Sequence, residues 1–148
     1  MTGIEDVIAR HEILRTVYRE IDGVPHQVIG TGDDVPVRRL DGPDNNWLTT
    51  QLDAERAHRF ELETELPIRI AVLRTSTECV LSMVVHHIAA DHWSAGVLFT
   101  DVLTAYRARR AGTAPSWQPL PVQYRDYATW QVQLLSDTEL IDAQRQFW

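Results

Sequence analysis

The stretch Met83-Val84-Val85-His86-His87-Ile88-Ala89-Ala90-Asp91-His92-Trp93-Ser94 decides how this chain is read, because an apolar run delivers two adjacent histidines and then an aspartate into a short turn. Residues 79–85, Cys-Val-Leu-Ser-Met-Val-Val, are apolar at almost every position and rich in branched side chains, which predicts a strand buried on both faces of a sheet. From Ser94 the period changes. Val97, Leu98, Val102, Leu103 and Tyr106 recur at three- and four-residue spacing, with Thr100, Asp101, Thr104 and Arg107 on the other face, the pattern of an amphipathic helix. Arg107, Arg109 and Arg110 offset its dipole at the C-terminal end, and Gly112 is placed for a left-handed cap. The two histidines therefore sit on a strand-to-helix loop. Successive residues of a strand point to opposite faces, so His86 and His87 cannot both aim at one cleft: one works and the other packs. A neutral imidazole can take a proton from an attacking hydroxyl, thiol or amine without a metal. The plainer readings are a hydrogen-bonded core histidine and, for Asp91, a helix N-cap. Zinc held by His86, His87, Asp91 and His92 is disfavoured, since no second cluster completes a coordination sphere and Cys79 is the only cysteine.

Composition sets the bounds. The chain has 148 residues, 44% hydrophobic and 24% charged, ordinary for one soluble domain with a real core. A formal charge of −7 argues against a nucleic-acid partner, which would demand clustered Lys and Arg. No apolar run approaches the ~20 residues that span a bilayer, and no basic-then-apolar leader opens the chain, so no membrane association is expected and a cytoplasmic location is the default. Cys79 has no partner for an internal disulfide and, in a buried strand, is expected to be inert.

Thr2-Gly3-Ile4-Glu5 has capping-box spacing, and Ile4, Val7, Ile8, His11 and Leu14 follow on one helical face. Residues 16–21 alternate, Asp22-Gly23 is a two-residue hairpin signal, and residues 24–29 form the return strand. A polar loop over 30–34, a short strand from Val35 to Leu40 and an Asp41-Gly42-Pro43 turn come next. Asp44 is placed to cap a helix whose apolar edge is Trp47, Leu48 and Leu52. Ile68, Ile70 and Val72 alternate in a strand that turns at residues 75–78 into the histidine strand, an antiparallel pair. Pro115, Pro119 and Pro121 mark a linker, after which Tyr124, Tyr127, Trp130 and Leu134 share one helical face that reads as core packing. A last helix is expected over 137–148.

Four blocks together resemble condensation domains of nonribosomal peptide synthetases, whose fold is like that of chloramphenicol acetyltransferase. The residues from His86 to Ser94 resemble the family's HHxxxDG signature, with His92 where glycine is usual. Arg10-His11-Glu12-Ile13-Leu14-Arg15-Thr16-Val17-Tyr18 resembles its RHExLRTxF block, with Tyr18 for the usual Phe. Residues 60–69 resemble FDLxxxPPLR, and residues 124–131 resemble YxDYAxWQ. The implied fold class is α/β, an α+β two-layer sandwich with a mixed, largely antiparallel sheet and helices packed on it. The resemblance covers one lobe only. Residues 1–148 match an N-terminal lobe, incomplete at both ends, of a domain whose site lies in a tunnel between two similar lobes.

The resemblance implies amide-bond formation between an acyl or peptidyl thioester on one carrier protein and the amine of an aminoacyl group on another. His87, matching the second histidine, is the implied catalytic residue, as general base or as a positioning hydrogen-bond partner. His86 would be structural, Asp91 would hold the loop, and an arginine of the first block, Arg15 rather than Arg10, would help order that loop through Asp91. His92, Trp93 and Ser94, at the start of the following helix, would contact an oxyanion or the substrate. No cofactor is implied as bound; phosphopantetheine arms carry the substrates. The implied partners are peptidyl and aminoacyl carrier proteins and the missing C-terminal lobe. Within enzymes the alternatives are a coenzyme A-dependent acyltransferase and an epimerisation domain; Trp93-Ser94 directly after Asp91-His92 counts against epimerisation alone. From another class, the alternative is a non-catalytic module that docks carrier proteins, to which the acidic charge is opposed because carriers are usually acidic too. A lobe built to pack on a second lobe keeps an apolar face, so the chain alone is expected to form a homo-oligomer and to make little product.

Overall fold

The computed structural model describes residues 3–32, 35 and 37–148, at 139, 140 and 143 by backbone alone. The elements run α1 (Gly3–Arg10), a 3-10 turn (Glu12–Arg15), β1 (Thr16–Ile21), β2 (Val24–Ile29), β3 (Val37–Asp41), α2 (Asn45–Arg56), β4 (Ile68–Arg74), β5 (Cys79–Val85), α3 (His92–Arg110), α4 (Tyr124–Leu135) and α5 (Thr138–Phe147). Two units can be distinguished, residues 1–117 and 118–148.

The first unit holds both sheets. β1 and β2 form the expected hairpin, with Asp22 at φ 52° and Gly23 at φ 77°, the pair of positive values that a two-residue turn matched to strand twist demands. The other sheet has the order β3-β4-β5, with β3 parallel and β5 antiparallel to β4. The central strand is therefore β4. Ile68 and Ile70 on one face, and Ala71 and Leu73 on the other, are all buried. The histidine strand β5 is an edge strand among the described residues. Cys79 and Leu81 are exposed and its other side chains are half-buried. The expectation of a doubly buried β5 and a buried Cys79 is corrected accordingly: β5 is paired on one side only, and Cys79 opens it directly after the exposed turn at 76–78.

Helices cover both faces of β4. Val7 and Ile8 of α1 and Val102 and Ala105 of α3 pack with Leu14 on Ile68 and Ile70. Leu48 of α2, flanked by Trp47 and Leu52, packs on Ala71 and Leu73. α1 ends at Arg10, and the chain tightens into the 3-10 turn that carries Leu14 into the core, so the helical face does not continue from Ile8 through His11 to Leu14 as expected. Thr2 of the expected capping box, and Asp33 and Asp34 of the polar loop, lie outside the described residues. The strand expected over 35–40 is β3, over 37–41.

Charge pairs tie the helices down. Arg109 Nε and Nη2 donate to the two oxygens of buried Asp6, at 2.7 and 2.6 Å, clamping α3 to α1. Arg10 Nε donates to Asp101 Oδ2 at 2.9 Å, and His11 Nε2 stands 2.7 Å from the same oxygen. Arg10 also lies over the Trp117 ring, 4.9 Å from its centroid. Asp101 is thus half-buried by partners about 90 residues away rather than solvated, while Val97 and Tyr106, assigned by spacing to the apolar face, are exposed; Leu98, Val102 and Ala105 make the buried stripe. α3 ends as read, with Gly112 at φ 76° after its last turn.

In the second unit, α4 begins after Gln123, whose N–H donates to Asp126 Oδ2 at 2.9 Å. Tyr124, Tyr127 and Trp130 stack along the helix with centroids 5.7 Å apart, yet all three are exposed, Trp130 by 54%. The core role that their spacing suggested is therefore corrected: the rings pack on one another.

One buried carboxylate links three elements. Glu55 of α2 is only 4% exposed and receives Arg38 of β3 together with Arg69 of β4, whose Nε donates to Oε2 at 3.1 Å. Removing it leaves two guanidiniums facing each other across the α2 face of the sheet. Both retain some access to water, so Glu55→Ala is expected to lower stability by about 1–3 kcal/mol, without changing secondary structure. Urea unfolding measures this, and an unchanged midpoint would contradict it.

Candidate functional site

β5 delivers the chain to the site and the β4 side of the sheet holds it as it leaves. Val85 pairs with Ile68, and the next residue, His86, donates its backbone N–H to the Pro67 carbonyl at 2.9 Å. The chain then turns. The Ala89 N–H donates to the His86 carbonyl at 2.9 Å, and the Ile88 N–H donates to His86 Nδ1 at 3.1 Å. A ring nitrogen that accepts an N–H carries no proton, so His86 is the neutral tautomer with its proton on Nε2. Its ring is half-buried and meets Phe60 edge to face at 5.6 Å.

His87 differs in every respect. It lies in the turn, is exposed, and its ring makes no hydrogen bond to the described residues. The two histidines that the motif places side by side are therefore separated by the fold into one occupied ring and one open ring.

Asp91 caps α3. Its backbone is extended, at φ −123° and ψ −172°, and its Oδ1 accepts the Ser94 N–H at 2.8 Å and the Ser94 hydroxyl at 2.6 Å. These two bonds, the hydroxyl first, hold its carboxyl below the usual aspartate range. The expected pairing of Asp91 with Arg15 is not formed. Arg15 donates to the Gly30 carbonyl and lies 3.6 Å from Glu12, tying the 3-10 turn to the end of β2, while Arg10 serves Asp101. A short acidic side chain before a helix finds the first-turn N–H groups at no cost in chain ordering, and here they outcompete a distant guanidinium. The same bonds commit the Ser94 N–H and hydroxyl to Asp91. α3 starts two residues earlier than expected, at His92, which leaves Trp93 85% exposed on its first turn. Asp22 is the one non-glycine residue with positive φ among those described, so His92 sits in ordinary helical backbone where glycine is not required.

Beside the turn lies a half-open cleft of about 180 Å³, lined by His11, Ile13, Leu14, Ala89, Ala90, Ser94, Val97 and Leu98. His87 is not part of its wall. Among the described residues no three His, Cys, Asp or Glu side chains are grouped to hold a metal ion, and no helix is long and apolar enough to cross a membrane. Phe60 and its neighbour His58, which touch the site through His86, were not identified from sequence. Nothing in their spacing marks them, beyond their place at the head of the block before β4.

The cap has a defined pH behaviour. Because the folded carboxyl of Asp91 titrates below its unfolded value, its contribution is complete above the ordinary aspartate range and is lost as pH falls through the lowered folded value. Asp91→Ala is expected to lower Tm by roughly 2–4 °C at neutral pH. Asp91→Asn keeps the cap but flattens the acid dependence, and His92→Gly leaves the fold intact. Thermal melts followed by circular dichroism from neutral to strongly acidic pH test all three. An Asp91→Ala loss as large as that of an unpaired buried cation would contradict the cap assignment.

Similarity to known proteins agrees with this geometry. The family model described as "Condensation domain" matches residues 2–148. The chain is 44% identical over 142 residues to the probable non-canonical nonribosomal peptide synthetase CymA of Salinispora arenicola, covering 93% of this chain and 2% of that protein. It is 42% identical to the isonitrile lipopeptide synthase of Mycobacterium tuberculosis, covering 99% of this chain and 6% of that one. Among solved structures, the X-domain from teicoplanin biosynthesis superposes with a TM-score of 0.90 at 38% identity, over 99% of this chain and 33% of that chain. The same kind of domain in complex with OxyB gives 0.89 at 39% identity, again covering 99% of this chain and 33% of that chain. The chain thus spans a few per cent of these synthetases and about a third of each of these solved chains. With the mixed sheet, the paired histidines at the end of β5 and the capped α3 in the arrangement described, the chain belongs to the condensation domain family.

Proposed function

We propose that the chain is the N-terminal lobe of a condensation domain and supplies His87 to amide formation between a carrier-bound acyl or peptidyl thioester and a carrier-bound aminoacyl amine. The supporting observation is the division of labour between the histidines: His86 is spent on the turn, and His87 is exposed with a free ring. The amine nitrogen attacks the thioester carbonyl, the C–N bond forms, the C–S bond breaks, and the thiolate leaves on the donor's phosphopantetheine arm. The proton released by nitrogen passes to the His87 imidazole and on to the departing sulfur, or His87 aligns the amine by a hydrogen bond while the sulfur takes that proton directly. His86, Asp91, Arg15 and Arg10 support the site from behind, through the turn, the α3 cap, the Gly30 contact and Asp101. His92 and Trp93, on the exposed first turn of α3, face the substrate side. The protein works in the cytoplasm, where its carrier-protein partners are.

In a complete two-lobed domain, His87→Ala is expected to lower amide formation roughly 10²–10⁴-fold with folding intact, if the imidazole is the base. Loaded donor and acceptor carriers with mass-spectrometric detection of the transferred product provide the assay. Near-normal product from folded His87→Ala would remove His87 from the chemistry.

A second reading is a docking module without turnover, supported by the similar X-domain whose structure was solved in complex with OxyB. It is separated by the same assay, since a docking module binds loaded carriers or an enzyme partner and yields no amide in any two-lobed form.

Ile88, Trp93 and Val97 stand exposed on the turn and first turns of α3, and we read this face as the one that a second lobe of the same fold covers. The 148-residue chain alone is expected to self-associate at micromolar concentration and to make little amide. Analytical ultracentrifugation checks this, and a monomer that binds no apolar dye would contradict it.

A further inference from the structure

The loop between α2 and β4 takes no part in the chemistry proposed above, yet it meets His86 at a ring and at a carbonyl. The Phe60 ring meets the His86 imidazole edge to face, with centroids 5.6 Å apart and planes at 78°. On its other side the same ring meets His58 at 5.0 Å and 82°. His58 Nε2 stands 2.7 Å from Glu65 Oε1, and that oxygen also accepts the Glu61 N–H at 3.0 Å. The loop's last residue, Pro67, takes the His86 backbone N–H. One side chain, Phe60, and one carbonyl, Pro67, of this segment thus meet His86, with His58 and then Glu65 standing behind the Phe60 ring.

Edge-to-face contacts depend on direction, because the positive rim of one ring must address the negative face of the other. A His86 ring free to turn about its side-chain bonds would present carbon, not Nδ1, to the Ile88 N–H for part of the time. That bond shapes the turn in which His87 stands. The Glu65 carboxyl belongs to the same unit: burial raises it, but the His58 and Glu61 hydrogen bonds and the neighbouring His58 and Arg69 charges outweigh this and leave it below its usual range.

We propose that Phe60, oriented by the His58–Glu65 hydrogen bond, is a positioning residue that locks the His86 ring onto the Ile88 N–H and thereby sets the turn that presents His87. The catalytic consequence rests on the reading of His87 as the reacting group. The structural step does not, and the two can be tested apart.

The structural step is read in the full 148-residue chain labelled with 15N-histidine, with the His86 signals assigned through His86→Gln. The unaltered chain is expected to show His86 as one neutral tautomer with an accepting Nδ1, and a slowly exchanging Ile88 amide. Phe60→Leu moves the His86 nitrogens toward the averaged values of a freely tautomerising imidazole and speeds Ile88 exchange, while Phe60→Tyr restores both. Glu65→Gln, which leaves Phe60 in place, shifts them in the same direction by less, and it carries the test if Phe60→Leu does not fold. In a complete domain Phe60→Leu lowers kcat roughly 10–10²-fold with KM little changed, again restored by Tyr. An unchanged His86 spectrum in folded Phe60→Leu and Glu65→Gln, or failure of Phe60→Tyr to restore it, overturns the proposal. If the spectrum responds as expected but His87→Ala retains full activity, the positioning unit stands and the catalytic reading of His87 falls.

Discussion

The register of β5 against β4 governs the site. Ile68 lies opposite Val85, and the last bond of that ladder direction runs from the His86 N–H to Pro67, so the chain leaves the sheet at His86 and nowhere else. A slip of one residue would exchange the two histidines between a half-buried ring against Phe60 and a ring facing water. β4 is where that register is anchored. It is buried on both faces, and its own position is fixed by β3 on the far side and by Glu55 bridging Arg38 and Arg69. The chemistry available at His87 is thus set by side chains up to 50 residues earlier in the chain.

The second half of the site is held by a different set of forces. α3 is capped locally by Asp91 and anchored over long range by two carboxylates: Asp6 on Arg109, and Asp101 on Arg10 and His11. The N-terminal block that resembles a family signature is therefore a clamp on α3. Its conspicuous arginines act at the middle of that helix and at the end of β2, not at the motif loop itself. Charge pairs of this kind fix geometry more than they add stability, and geometry is what a site that asks little of the protein beyond alignment requires.

Much of this was legible in the sequence, for local reasons. Asp22-Gly23 specified its own turn, Asp44 its helix cap, where its Oδ1 accepts the Trp47 N–H at 2.8 Å, and Gly112 the end of α3, because each depends on a few adjacent residues. The strand-loop-helix setting of the two histidines was legible for the same reason. What sequence did not reveal depends on distant partners. The apolar run of β5 resembled a central strand, but β4 is central because β3 joins it in parallel across an intervening helix, and no periodicity within β5 records that. Asp101 looked solvated until Arg10 and His11 arrived from the other end of the unit. Asp91 was a choice between a local cap and a remote arginine, and the local partner prevailed. Phe60 opens the block that resembles FDLxxxPPLR and His58 lies outside it; their part in the site is visible only once the Phe60 ring is seen between His58 and His86.

The central claim is that the fold divides adjacent histidines into an occupied ring and an open one. Its most direct test is residue-resolved carbethoxylation of the folded chain by diethyl pyrocarbonate, followed by peptide mass mapping. The account predicts that His87 is modified well before His86, whose Nδ1 is engaged and whose ring is half-enclosed. Equal rates at the two positions, or faster modification of His86, would contradict it.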